Sequence, residues 1–152
     1  MNLTTLKSII VLNGHANSGK TAILNALCCK LSNMVNVSIN QNEIEPSRTN
    51  GGDQRFAVVY KARKIAICTA GDDANCVIKA FKYAEKVGAE VLVMALSIHL
   101  WGYKTAELVF DEIITYYQLS NIVDKTISTT YAPPKPKGYV DNAKVQALFT
   151  KI

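Results

Sequence analysis

The chain has 152 residues, 49% of them apolar and 19% charged, with a formal net charge of +5. That length and balance are those of a soluble globular protein, most simply one domain over residues 1–152, and no internal repeat is visible. No apolar run reaches bilayer-spanning length, and residues 1–7 are too short and polar for a secretory signal, so a cytoplasmic protein without membrane partners is expected.

Residues 8–13 (Ser-Ile-Ile-Val-Leu-Asn) form a short apolar run rich in β-branched side chains, the pattern of a buried strand. Gly14-His15-Ala16-Asn17-Ser18-Gly19-Lys20-Thr21 follows and fits G-x-x-x-x-G-K-[ST] without a gap. Glycines at 14 and 19 let the backbone turn tightly and approach a polyphosphate. The loop N–H groups and the first turn of the following helix, through Ala22, then form an anion nest at the positive end of the helix dipole. Lys20 is placed for the β- and γ-phosphates and Thr21 for Mg²⁺. A glycine-rich turn that binds nothing is the bland alternative, and the strand before and helix after weigh against it. In that helix Ile23, Leu24, Leu27, Cys28 and Leu31 share one face.

Residues 35–40 alternate apolar and polar and predict an edge strand, and residues 41–52, with Pro46, Gly51 and Gly52, predict a mobile loop. Residues 54–60 and 64–69 are two strands separated by Lys61-Ala62-Arg63, too few residues for a parallel crossover, so they predict an antiparallel hairpin. A helix over about 74–87 with Val77, Ile78, Phe81, Ala84 and Val87 on one face should end at Gly88. Residues 91–96 are apolar on both faces, as in a central parallel strand. Thr105 is expected to cap a helix carrying Ala106, Val109, Phe110, Ile113, Ile114 and Tyr117, and residues 122–127 read as a weaker strand. Residues 132–138 are a Pro-rich spacer, and Asp141 caps a last helix with Val145, Leu148, Phe149 and Ile152 inward. Cys28, Cys29, Cys68 and Cys76 make no C-x-x-C pair and have no histidine at zinc spacing, which fits reduced thiols.

Alternating strands and helices predict an α/β domain of three layers, mainly parallel with one antiparallel hairpin. Ligands of such sheets bind at the carboxyl ends of the strands, which gathers the phosphate loop, residues 69–73, 97–104 and 128–131 on one rim. The loop and its flanks resemble the P-loop NTPase superfamily, and the hairpin leading into Thr69-Ala70-Gly71 resembles its GTPase branch. The resemblance implies the three-layer P-loop fold and a purine nucleoside triphosphate held with Mg²⁺. Two departures stand out. The family's Asp before Thr-Ala-Gly is Cys68 here, and a thiol is a poor magnesium ligand. Leu96-Ser97-Ile98-His99 stands where the guanine-reading motif would follow, which leaves ATP the expected nucleotide.

Asp72 and Asp73 lie just past a strand end and are the expected replacements for the missing carboxylate, Asp72 as metal ligand with Thr21 and both as catalytic groups beside Lys20; helix capping is their structural alternative. Asp53 is the weaker candidate, read first as a solvated turn residue. Trp101 and Lys104, with His99 beside them, could meet a base or anion, and Arg48 is the one arginine placed for a phosphoryl group; core packing and ordinary surface exposure are their alternatives. Slow ATP hydrolysis is the expected reaction, with a small-molecule or nucleotide kinase and a non-hydrolysing nucleotide sensor as alternatives. A protein partner or homo-oligomer is compatible with these readings, and the modest positive charge permits nucleic acid without arguing for it.

Overall fold

A computed structural model describes residues 1–15, 18–49, 51–98, 105–130 and 139–152. The elements run β1 (Ser8–Gly14), α1 (Lys20–Ser32), β2 (Arg55–Tyr60), β3 (Arg63–Cys68), α2 (Ala74–Val87), β4 (Val91–Ser97), α3 (Thr105–Tyr116), β5 (Val123–Thr129) and α4 (Asn142–Lys151). The sheet order is β2-β3-β4-β1-β5. β3, β4, β1 and β5 are parallel and β2 runs antiparallel to β3.

Strand alternation divides the core into two. Ile9, Val11, Ala66, Cys68, Leu92 and Met94 face α2 and α3, where Phe81 and Phe110 meet with ring centroids 6.0 Å apart. Ile10, Leu12, Ile65, Ile67, Val91 and Val93 face the other way, onto α1 and α4. Both faces of the sheet are thus covered, which is why every residue of β4 is buried and why its sequence is apolar throughout. The stripe Ile23, Leu24, Leu27, Cys28 and Leu31 is buried as its spacing predicts. All four thiols are free; burial pushes the Cys28 thiol up to about 12 and raises that of Cys68 further.

The hairpin turns on Lys61 and Ala62, with φ of 52° and 59°. Two successive left-handed residues are what a type I′ turn needs, and here non-glycine residues supply them, so the usual Asn-Gly signature is missing. α2 starts on Asp73, whose carboxylate accepts from Cys76 N at 2.8 Å, and ends on Gly88 at φ 67°. Asp141 caps α4, accepting from Lys144 N. Thr105 is the first residue of α3 rather than its cap, and the capping position lies outside the described residues.

Residues 35–40 do not form a strand. Ser38 alone bridges to Val59, with both backbone bonds made, and Val35 is fully exposed. The Asn40 side chain accepts from Asn42 N and turns the chain into a short 3₁₀ segment, Gln41–Glu43, before a ladder can extend. A second single bridge, Glu45 to Arg55, follows. The edge of β2 is therefore covered by two isolated contacts in place of a strand, which blunts it against pairing with another chain. The 41–52 loop is fastened: Tyr83 Oη donates to Glu43 O at 2.5 Å, Lys64 pairs with Glu43, and Arg55 and Lys86 pair with Glu45, whose carboxyl the two cations hold below its usual range against the opposing effect of burial. Among the described residues no helix is long and apolar enough to cross a membrane.

Candidate functional site

The four parallel strands end on one rim at Cys68, Ser97, Gly14 and Thr129, in that lateral order. Gly14 is in register with Ser97 on one side and Thr129 on the other. Because β2 is antiparallel, its beginning also reaches this rim: Arg55 is opposite Cys68, and Asp53 and Gln54 enter just beyond.

Gly14 has to be glycine. A Cβ there would lie 1.9 Å from Thr129 Oγ1 and 2.7 Å from Thr129 O, so the β1 end could not approach β5 as it does. The Ser18 and Thr129 hydroxyls bond to each other across this contact. Gly19, at φ 91°, turns the chain into α1, and no side chain caps the helix. Its first N–H groups are without intrahelical acceptors, as at any helix start. Lys20 is only 5% exposed and donates from Nζ to Gly14 O at 3.1 Å and His15 O at 2.6 Å. Burial lowers the Lys20 pKa and the charge of Asp72 opposes that fall. His15 Nδ1 lies 3.1 Å from Ile98 O, and Ile98 N donates to Gly14 O, tying the loop to the end of β4. The ammonium is thus held over the loop by neutral carbonyls, which an anionic phosphate oxygen outcompetes as an acceptor. Ala16 and Asn17 lie outside the described residues, as do His99, Trp101 and Lys104.

Two separate clusters adjoin this loop. In the first, Thr21 Oγ1 donates to Asp53 Oδ1 at 3.1 Å and lies 3.5 Å from Thr69 O, while Thr69 Oγ1 donates to the same Asp53 oxygen at 3.3 Å. The position of Asp53 is set from both sides. Gln54 N donates to Thr69 Oγ1 and Thr69 N to Gln54 O. Asn25 of α1 donates to Gly51 O and Gly52 O and accepts from Gln54 Nε2 at 2.7 Å. In the second cluster, Ser97 Oγ donates to Asp72 Oδ1 at 2.6 Å, and Ser97 is fully buried. Gly71 makes this closeness possible: it accepts from Ser97 N at 2.9 Å, and a Cβ on it would stand 2.1 Å from Ala95 O.

The residues expected at the site therefore part company. The charge of Asp72 acts on Lys20, and Thr21 meets Asp53 in place of either following aspartate. Asp73 caps α2, and its bond from Cys76 N is the main reason its carboxyl is held below the usual range. Cys68 points into the core toward α2, with Sγ 4.0 Å from Ala80 O, so that position is turned away from the rim. Arg48 is exposed on the loop. Ser97, Thr69 and Thr129 were not singled out from the sequence. Ser97 carries one signal, a polar side chain closing the otherwise apolar strand Met94-Ala95-Leu96-Ser97 at the rim, and Thr69 another, its place in Thr69-Ala70-Gly71; Thr129 closes a largely polar strand and carries none.

The first cluster suits a hard cation. Its donors are a carboxylate, two hydroxyls and a carbonyl, all oxygen. Adjacent ligands of an octahedral Mg²⁺ at about 2.0–2.1 Å lie about 2.9 Å apart. The Thr21–Asp53 oxygens at 3.1 Å are already close to that spacing. Among the described residues no group of three or more His, Cys, Asp and Glu side chains gathers, so a transition-metal cage is not what these residues form. Set against protein-family models, curated proteins and solved structures, the chain matches none of them.

Proposed function

We propose that this protein binds a nucleoside triphosphate, ATP in preference, together with Mg²⁺, at the rim formed by the residue 14–22 loop, and hydrolyses it slowly. The observation that carries the reading is Lys20: a buried ammonium held over a glycine loop at the start of an uncapped helix, at the carboxyl ends of parallel strands. In this reading the loop N–H groups and Lys20 take the β- and γ-phosphates, and the Thr21 hydroxyl holds Mg²⁺, with Asp72 the carboxylate on the same rim expected from the sequence. Bound Mg²⁺ would neutralise charge on the β- and γ-phosphate oxygens. Asp72, fixed by Ser97 on the same rim, orients a water toward the γ-phosphorus. A new P–O bond forms to that water as the bond to the β,γ-bridging oxygen breaks; ADP leaves, and the water proton passes to Asp72 and on to solvent. A nucleotide sensor without turnover is the second reading, favoured by one observation: Cys68, at the family's carboxylate position, is buried and faces away.

The decisive measurement is equilibrium binding of ATP, GTP and dNTPs to wild type and Lys20→Ala. Loss of one charge-assisted hydrogen-bond donor, roughly 1.5–3 kcal/mol, predicts triphosphate affinity falling by roughly 10- to 150-fold. Equal affinity in the two proteins overturns the reading. Multiple-turnover phosphate release then separates the hydrolase from the sensor, and release only with an added acceptor assigns a kinase.

A further inference from the structure

We propose that Asp53 is the carboxylate of the cation site, brought to Thr21 by the chain entering β2 and replacing a carboxylate at the end of β3. The proposal rests on the nucleotide reading and names the residue that makes binding depend on the cation.

Three elements converge on one carboxylate oxygen: Thr21 from the first turn of α1, Thr69 from beyond β3, and Asp53 itself. Among the described residues none of the ion pairs includes Asp53. It is an exposed carboxylate that accepts from two hydroxyls, and the Thr21 hydroxyl also lies 3.5 Å from the Thr69 carbonyl, so four oxygens of three kinds meet there. Bonds made only to hold the loop would not need a charge, because Asn25 already ties it to α1 and the Gln54–Thr69 bonds tie it to the end of β3. The antiparallel register of β2 on β3 accounts for the arrangement. It sets Arg55 opposite Cys68 and Gln54 opposite Thr69, so that Asp53, one residue further, reaches the Thr69 hydroxyl and the first turn of α1. Cys68, directed into the core, leaves that place open. Asp72 lies with Ser97 at the end of β4, where its charge acts on Lys20. The two carboxylates thus divide the work: Asp53 holds the cation against Thr21, and Asp72, bonded to Ser97, is left for the water.

Asp53→Asn separates charge from structure, since its amide oxygen still accepts from Thr21 and Thr69. ATP affinity is measured by calorimetry with Mg²⁺ and with EDTA for wild type, Asp53→Asn, Asp53→Glu and Asp72→Asn, with Mn²⁺ retained by the protein–ATP complex read by electron paramagnetic resonance. In wild type Mg²⁺ should tighten ATP by roughly 10-fold or more, and Asp53→Asn should erase most of that gain while its affinity in EDTA is unchanged or tighter. Bound Mn²⁺ falls in parallel, and Asp53→Glu keeps the gain. A full Mg²⁺ gain in Asp53→Asn overturns the proposal, as does an equal loss in Mg²⁺ and EDTA, or erasure by Asp72→Asn in its place. Should the amide variant not fold, Asp53→Ser repeats the test with the charge removed and a hydroxyl acceptor kept. Wild type that binds ATP equally with and without Mg²⁺ overturns this inference alone; wild type that binds no ATP in either condition sinks the nucleotide reading itself.

Discussion

Replacing Gly71 by alanine tests the geometry that holds the Asp72 segment to the sheet. The new Cβ would stand 2.1 Å from Ala95 O, 2.4 Å from Ala95 C and 2.9 Å from Leu96 N. All three atoms are backbone of the central strand β4, so no side-chain rotation relieves the overlap. Either residues 69–73 lift off the sheet or β4 shifts against β1 and β3. Overpacking of this kind costs about 1–3 kcal/mol. The Ser97 N to Gly71 O bond is lost with it, which adds about 1 kcal/mol. With a urea slope of about 1–3 kcal/mol per molar, a loss of roughly 2–4 kcal/mol lowers the unfolding midpoint by about 1–2 M. Gly88→Ala is the control. Its Cβ has nothing within 4 Å and only its φ of 67° is strained, so its cost is about 1–2 kcal/mol and confined to the end of α2. Urea unfolding of both variants decides the matter, and phosphate release adds a second reading, since only Gly71→Ala displaces Asp72 from Ser97. A midpoint for Gly71→Ala at or above that of Gly88→Ala would refute the close approach of residues 69–73 to β4.

Lys61→Asn with Ala62→Gly places the preferred type I′ pair in a turn whose two central residues are left-handed. A net gain of about 1 kcal/mol is expected, raising Tm by about 2–4 °C on thermal unfolding. Asp73→Ala removes the α2 cap and should lower stability by about 1 kcal/mol near neutral pH. The folded-state pKa of Asp73 lies below its ordinary 3.8, so the wild-type advantage is complete above that pH and closes as pH falls through the folded value; urea unfolding from pH 7 to pH 2 checks the sign.

Elements defined by local chemistry were legible in the sequence. The Lys61-Ala62-Arg63 linker was too short for anything but a hairpin, and Asp73 and Gly88 bracket α2 by the capping rules alone. The α1 stripe had one consistent buried face. The lateral order was not legible, because apolar periodicity says which faces a strand buries and nothing about its neighbour. β4 between β3 and β1 is such a case. Residues 35–40 failed for a different reason. Their alternation is genuine, and Val37 and Ile39 do pack on the core, but the Asn40 turn limits pairing to one bridge. Side-chain contacts at the rim were not legible: the motif marks Lys20 and Thr21, but not that Lys20 folds back on Gly14 O and His15 O or that Thr21 meets Asp53.

Asp53 shows how direction along a strand decides which residues reach a rim. In a parallel sheet only carboxyl ends reach the ligand rim, so a scan for rim carboxylates looks just past each strand, and Asp72 and Asp73 are what it finds. An antiparallel strand inverts this rule, for its amino end lies on the rim. Once the 61–63 linker requires β2 to run against β3, the residues before β2 become rim residues, and Asp53 is the acidic one among them nearest to Arg55. The hairpin and the position of Asp53 are thus one fact seen twice. Thr21 Oγ1, donating to Asp53 at 3.1 Å, is the point where that topology meets the glycine loop at the start of α1.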